Sequence, residues 1–137
     1  MSYRFEVDPE SKIRAVRFEG EISFDELKRF YFSDAPKYVS EDMRGSVVDF
    51  SNATMPNITP MNVRELAAQP PVDPDATRLR VVVAPTPHIF GLLRAFELYG
   101  DETRPNFHVV SSLRQAYSLL GITAPRFEPV EAKLSSS

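Results

Sequence analysis

Apolar and polar residues alternate at the start of the chain, as in a strand that buries one face. Tyr3, Phe5 and Val7 are separated by charged residues, and a second, roughly alternating run extends from Ile13 to Gly20. Turn-forming residues occupy positions 8–12 between the two runs. The pattern therefore predicts that the chain opens with an antiparallel β-hairpin.

After the hairpin, short apolar runs alternate with segments in which apolar residues recur at helical spacing. The runs predict buried strands over residues 46–50, 79–84 and 107–110. Helices are predicted to begin after hydroxyl-bearing N-cap residues, which are Ser23, Thr59, Thr86 and Ser112. This order predicts an α/β fold, a mixed and mostly parallel five-stranded sheet with an opening hairpin and about four helices. We assign residues 1–122 to a single domain and residues 123–137 to a C-terminal tail.

Composition narrows the classes of partner. Hydrophobic residues make up 42% and charged residues 26% of the 137 residues, which is typical of a globular domain. A net charge of −3 without a basic block argues against nucleic acid as a partner. No run approaches the ~20 apolar residues of a membrane span, and the chain does not start like a secretion signal. We therefore expect a cytoplasmic protein without an integral membrane segment.

Catalytic chemistry has little support in the residue types. The chain contains no cysteine and only two histidines, which excludes disulfides, thiol nucleophiles and thiolate metal sites. Phosphate-binding glycine loops, nucleophile elbows and zinc-protease motifs are absent from the sequence. Asp49 ends a predicted strand and has the chemistry of a general base, but a carboxylate in that place more often caps a loop. We expect no enzymatic activity, no metal and no cofactor.

Two predicted strands run directly into helices, and polar residues mark both junctions. Asn57 and Thr59 lie at the first junction, and Thr86, His88 and Gly91 lie at the second. Because open α/β sheets bind ligands at the carboxyl ends of their strands, these five residues are candidate binding residues. The alternative is structural: the threonines cap their helices, His88 has no task, and Gly91 lets two helices pack closely.

Aromatic residues crowd the first predicted helix. Leu27, Phe30 and Tyr31 suffice for its inward face, which leaves Phe24 and Phe32 on other faces. Exposed aromatic patches often contact a protein partner, an apolar ligand or a second copy of the chain. The alternative is that another part of the same chain covers Phe24 and Phe32.

Element order and two short segments, residues 47–52 and 116–121, carry a family resemblance. The chain resembles the STAS domain, the fold of bacterial anti-sigma-factor antagonists and of the cytoplasmic domains of sulfate transporters. It is most similar to a branch of small stand-alone bacterial proteins. The resemblance implies a switch, an aspartate followed by a phosphorylated serine at the start of the second helix. That pair falls on Asn57 and Ile58 here, and the nearest hydroxyl belongs to Thr59.

Two functional hypotheses follow. The first is a non-enzymatic, STAS-like regulatory or protein-interaction module that forms a homodimer and binds a protein partner. The second is a small carrier that holds an apolar or lipid-like molecule between the sheet and the helices. The missing Asp-Ser pair weakens kinase-linked regulation, whereas the surplus of aromatic residues suits both a carrier and a dimer.

Overall fold

The structure, a computed structural model, describes residues 3–100 and 102–130. Its strands are β1 (Tyr3–Asp8), β2 (Ile13–Glu21), β3 (Gly45–Thr54), β4 (Leu79–Val83), β5 (Phe107–Val110) and β6 (Glu128–Pro129). Its helices are α1 (Phe24–Arg29), α2 (Pro60–Ala67), α3 (Pro87–Tyr99) and α4 (Leu113–Leu120). Within the described residues the strands form one mixed sheet in the order β5-β4-β3-β2-β1-β6. The predicted α/β class, the opening hairpin and the four helices are confirmed.

Strand order explains where the helices lie. Strands β2 to β5 are parallel, and each pairs with the strand before it in the chain. Since strand-to-strand crossovers are right-handed, connections that always step in the same direction place their helices on one face of the sheet. Helices α1, α2 and α3 therefore cover one face, which we call the helical face. Helix α4 follows the last parallel strand and packs on the opposite face.

Period-two alternation in the strands divides the core into two clusters. On β2 and β4, Val16, Phe18 and Val82 face the helical side, and Ile13 and Val81 face α4. The helical-face cluster is the larger one and is rich in aromatic rings. Phe18, for example, stacks on Phe50 at 4.6 Å between ring centroids. The α4 cluster is small and aliphatic, and Gly45 allows close approach there, because a Cβ would lie 2.8 Å from the backbone oxygen of Leu79.

The predicted number of five strands is wrong, since the sheet has a sixth. Residues that the sequence assigns to a tail return to the hairpin, where β6 pairs antiparallel with β1. Just before β6, the ring of Phe127 lies 6.2 Å from that of Tyr117 and beneath the guanidinium of Arg17 at 5.4 Å. An isolated pair of residues such as Glu128 and Pro129 has no strand pattern, so tertiary pairing alone creates this element. Residues 131–137 of the predicted tail lie outside the described residues.

Charged side chains cover the part of the α4 face that lies over β1 to β3. Arg17 forms ion pairs with Glu6 at 2.6 Å and with Asp49 at 2.9 Å. Arg4 adds a further ion pair with Glu19 near the outer edge. Asp49 is buried in this network, and the Phe127 ring lies against Arg17, so the ion pairs compensate charged groups that are largely shielded from water.

Helix starts follow the predicted N-caps. Ser23 and Glu26 form a complete capping box at the start of α1. At α4, Ser112 accepts from the backbone of Gln115, but the Gln115 side chain accepts from the N–H of Ser111 instead of that of Ser112. Ser112 is therefore the N-cap of α4, but no reciprocal hydrogen bond to its own N–H completes a capping box.

The first helix changes its winding where proline approaches. Beyond Arg29 it continues as a π-turn over Phe30–Asp34 and a 3-10 turn over Ala35–Tyr38. Pro36 has no N–H to continue an α-helical ladder, so the chain widens and then tightens around it. We call the whole segment, residues 24–38, the covering segment, because it lies over the first strands on the helical face.

Candidate functional site

A cavity of about 200 Å³, partly open to solvent, lies between the helical face of the sheet and the covering segment, α2 and α3. Its wall is almost entirely apolar side chains. Leu27, Phe30 and Tyr31 of the covering segment, the three residues predicted to point inward, all line it. Further wall residues are Val16, Val48, Phe50, Ile58, Val63, Leu66, Val82, Leu92, Leu93 and Phe96. The cavity exceeds the roughly 150 Å³ apolar cavity that holds one benzene molecule.

Polar side chains meet at one end of this cavity, at the amino ends of the parallel strands. Arg14 on β2 pairs in register with Ser46 on β3, and Ser46 pairs in register with Arg80 on β4. All three side chains line the cavity, and we call them the polar row. Because residues two apart on a strand share a face, the next row along these strands, Val16, Val48 and Val82, is apolar. The cavity is thus amphipathic along the strand direction.

Arg80 has unused hydrogen-bonding capacity. Its Nη1 donates to the backbone oxygen of Asp73 at 3.0 Å. Its Nε and Nη2 are buried and have no hydrogen-bond partner among the described residues. Burial lowers the pKa of the Arg80 guanidinium, the nearby Asp73 carboxylate opposes this shift, and the cation of Arg104 adds to it. A desolvated cation with two unpartnered hydrogen-bond donors is energetically costly unless an acceptor binds those donors.

Arg104 is the second buried cation at this end, with only 4% of its surface exposed. It donates to the carbonyl oxygens of Ala67 at 3.1 Å and Gln69 at 2.8 Å, which are orphan acceptors at the end of α2. It also donates to the hydroxyl of Tyr31 in the covering segment. Gly100 makes room for it, because a Cβ there would lie 2.4 Å from its Nη1. Arg104 therefore ties the covering segment to α2, and its donors are used by the protein.

Asp73 is the one acidic side chain in the cavity wall among residues 3–100 and 102–130. It is buried, and its Oδ1 accepts from Arg78 at 2.8 Å and from the N–H of Asp75 at 3.0 Å. Its Oδ2 has no partner among the described residues. Arg78 is shared with Asp75 at 3.7 Å, and the Asp73 carboxylate also attracts the Arg80 guanidinium, so one buried carboxylate faces two cations here.

The residues predicted at the carboxyl edge of the sheet lie apart from this cavity. Thr59 accepts from the N–H of Asn62 at 3.2 Å and caps α2, and Thr86 accepts from the N–H of Ile89 at 3.4 Å and caps α3. The Nε2 of His88 donates to the backbone oxygen of Met55 at 2.9 Å, which joins the start of α3 to the loop after β3. Asn57 and Gly91 are exposed and do not line the cavity. The structure brings His88 and this loop together, and His88 does not line the cavity.

Phe24 and Phe32 differ in their surroundings. Phe32 is 51% exposed, and its ring makes an edge contact with Tyr31. Phe24 is partly buried against the helical-face cluster, and the ammonium of Lys28 lies 4.9 Å from its ring centroid. Only Phe32 presents a large aromatic surface to solvent.

Asp49 is not arranged as a general base. Its Oδ2 pairs with Arg17 at 2.9 Å, and its Oδ1 accepts from the N–H of Ser51 at 2.9 Å. Both carboxylate oxygens are engaged, but β3 continues to Thr54, so Asp49 binds a backbone N–H within the strand and does not cap a loop. Among residues 3–100 and 102–130, no cluster of three or more potential metal ligands occurs.

Sequence reasoning missed the polar end of the cavity. We treated residues 79–84 as an apolar run, although Arg80 lies within it, and Arg14 similarly interrupts the apolar side of β2. An arginine at an inward-facing position of a central strand indicates a polar site in the core, because charged residues are almost never fully buried unless they are paired. Arg104 and Asp73 lie in loops and carried no periodic signal.

Comparison of the chain with models of known protein families found no match, and comparison with curated proteins found none either.

Proposed function

We propose that this protein binds a small, largely apolar molecule in the cavity between the sheet and the covering segment, and acts as its carrier or receptor. The observation that supports this is the cavity itself. Protein interiors are normally packed to crystal density, and voids larger than a water molecule are few. The residues that line this apolar cavity of about 200 Å³ therefore lack van der Waals contacts that a bound ligand would supply.

The size of the cavity limits the ligand. Scaling from the benzene-sized cavity gives room for about eight non-hydrogen atoms. Pockets for drug-sized ligands begin at roughly 300 Å³, so the ligand is smaller than those. A short aliphatic or single-ring aromatic molecule fits within these bounds, whereas a longer chain would have to extend out of the partly open cavity.

The regulatory-module hypothesis and the STAS resemblance remain predictions, as do the cytoplasmic location and the homodimer. Within the described residues no helix is both long and apolar enough to cross a membrane. The one large aromatic ring exposed on the covering segment, Phe32, is the observation that favours self-association. Binding of a ligand beneath the covering segment and contact of a partner on top of it are compatible.

Titration with 1-hexanol, followed by NMR chemical shifts, tests the proposal. We expect saturable shifts that map to residues lining the cavity. Val48→Phe places a ring in the middle of the cavity and should abolish these shifts. Leu119→Phe, on the exposed side of α4, is the matched control and should leave them unchanged. Shifts that do not saturate, or that persist fully in folded Val48→Phe, would contradict the proposal.

A further inference from the structure

We infer that the ligand of this cavity is a small monocarboxylic acid, and that its carboxylate binds the free edge of the Arg80 guanidinium. This inference rests on the proposed function and specifies the chemical class of the ligand. Three independent observations carry it: which donors of Arg80 are free, how the charges at the polar end balance, and how the polar row lies relative to the apolar wall.

The two free donors of Arg80 have the geometry of a carboxylate site. Nε–H and one Nη–H of a guanidinium point in parallel from the same edge, and the Nη on that edge is Nη2. These are the two nitrogens that have no partner among the described residues, whereas Nη1 is held by the backbone of Asp73. A carboxylate binds such an edge through two parallel hydrogen bonds. The protein thus anchors one side of the guanidinium and leaves the buried two-donor side without a partner among the described residues.

Charge balance at the polar end favours a single negative charge. Arg14, Arg80 and Arg104 line the cavity, and Asp73 is the only acidic lining residue in the part of the chain that the structure describes. Asp73 forms an ion pair with Arg78 at 2.8 Å. Arg104 donates its hydrogen bonds to backbone carbonyl oxygens and to the hydroxyl of Tyr31. Arg14 donates to Ser40 at 3.0 Å. Among the described residues, Arg80 is the cation of this group whose buried guanidinium nitrogens lack a hydrogen-bond partner, and the neighbouring Asp73 disfavours a dianion such as a phosphate monoester.

The position of Arg80 orients the ligand. Two residues further along β4 is Val82, which lies on the same face and in the apolar wall. A carboxylate on Arg80 therefore directs its hydrocarbon part along the strands toward Val48, Val82 and the ring of Phe50. The Oδ2 of Asp73 remains as an acceptor at the same end, and it would suit a hydroxyl group next to the carboxylate.

Hexanoate and 1-hexanol form a matched pair of probes, because they share a six-carbon chain of suitable length and differ in the head group. We expect the wild-type protein to bind hexanoate about 10- to 100-fold more tightly than 1-hexanol, as a charged two-donor contact contributes roughly that factor. Arg80→Gln should remove this preference and leave the affinity for 1-hexanol unchanged. Arg80→Lys keeps the charge without the parallel donors and should restore only part of it.

Arg114→Gln is the control variant, since Arg114 is exposed on α4 at the other face of the sheet. It should bind both probes as the wild type does. Equal affinity of the wild type for the two probes would overturn the inference and leave the proposed function standing. The inference would also be overturned, with the proposed function left standing, if hexyl phosphate binds more tightly than hexanoate. Persistence of the preference for hexanoate over 1-hexanol in Arg80→Gln would have the same meaning. Absence of saturable binding for both probes would overturn the proposed function as well. The wild-type comparison decides the matter even if the Arg80 variants fail to fold.

Discussion

Tyr3 shows how one buried hydroxyl links stability to pH. It begins β1 with 7% of its surface exposed, and its hydroxyl donates to the carboxylate of Asp34 in the covering segment. Burial and this hydrogen bond to an anion raise the pKa of the Tyr3 phenol well above its ordinary value. The folded state therefore keeps the proton at a pH where the unfolded chain has lost it.

Stability that depends on this proton is fully present below pH ~10, the pKa of an unfolded tyrosine, and is lost as the pH rises further. Tyr3→Phe should be less stable at pH 8, by about 1 kcal/mol for the lost hydrogen bond. Its free energy of unfolding should also fall less steeply between pH 9 and pH 11 than that of the wild type. Denaturant titrations at several pH values measure both effects. Tyr99→Phe, at a 53% exposed position, is the control, and parallel curves for Tyr3→Phe and the wild type would contradict the prediction.

Thr59 stabilises the start of α2 as its N-cap residue. Its side chain and that of Asn62 form a complete capping box at the start of α2, which occupies the hydroxyl oxygen as an acceptor. Thr59→Ala should cost about 1 kcal/mol in the free energy of unfolding, and Thr59→Ser should cost much less. We also expect no functional phosphate on Thr59. Mass spectrometry of protein purified from cells checks this, and stoichiometric phosphate there would revive the switch that the STAS resemblance implies.

Some of the strands and helices can be predicted from local sequence, whereas others depend on tertiary contacts. The five strands of the alternating and apolar runs, and the N-caps of all four helices, follow from local sequence and are confirmed. The sixth strand depends on pairing between residues at opposite ends of the chain, which no local pattern encodes. The π-turn near Pro36 and the unpartnered donors of Arg80 depend on tertiary contacts with residues that are distant in the sequence. The candidate site was therefore placed at the carboxyl ends of the strands, whereas its polar end lies at the amino ends.

The segment that leads into β6 offers a test at the level of an element. If residues after Ile122 were only a tail, Phe127→Ala would change nothing. In the structure the Phe127 ring packs against Tyr117 and under Arg17, so the substitution should lower the free energy of unfolding by about 1 kcal/mol. Glu128→Ala removes an exposed side chain from the same element and serves as control. Chemical denaturation with both variants measures the difference, and identical stabilities would mean that this packing contributes nothing.

At the scale of the whole molecule, the open question is self-association. Phe32 is half exposed on the covering segment, and hiding its ring in a dimer would remove apolar surface from water at about 25 cal/mol per Å². We expect a concentration-dependent dimer that Phe32→Ser shifts to the monomer. Analytical ultracentrifugation measures this shift. Leu98→Ser, at a 62% exposed position on α3, is the matched control. A wild-type protein that is monomeric at all concentrations would contradict the prediction, and it would leave ligand binding untouched.

The order of strands in the sheet also shapes how the chain folds. From β1 to β5, each strand pairs with its immediate predecessor in the chain. Every one of these pairings closes only one turn or one helix-containing connection, so the loop-closure entropy of each step is modest. The sheet can grow strand by strand as the chain leaves the ribosome, without waiting for distant segments. The pairing of β6 with β1 is the exception, because it joins the two ends of the chain and becomes available last. Folding of the first five strands is therefore expected to be fast for a parallel sheet, and docking of the final segment completes it.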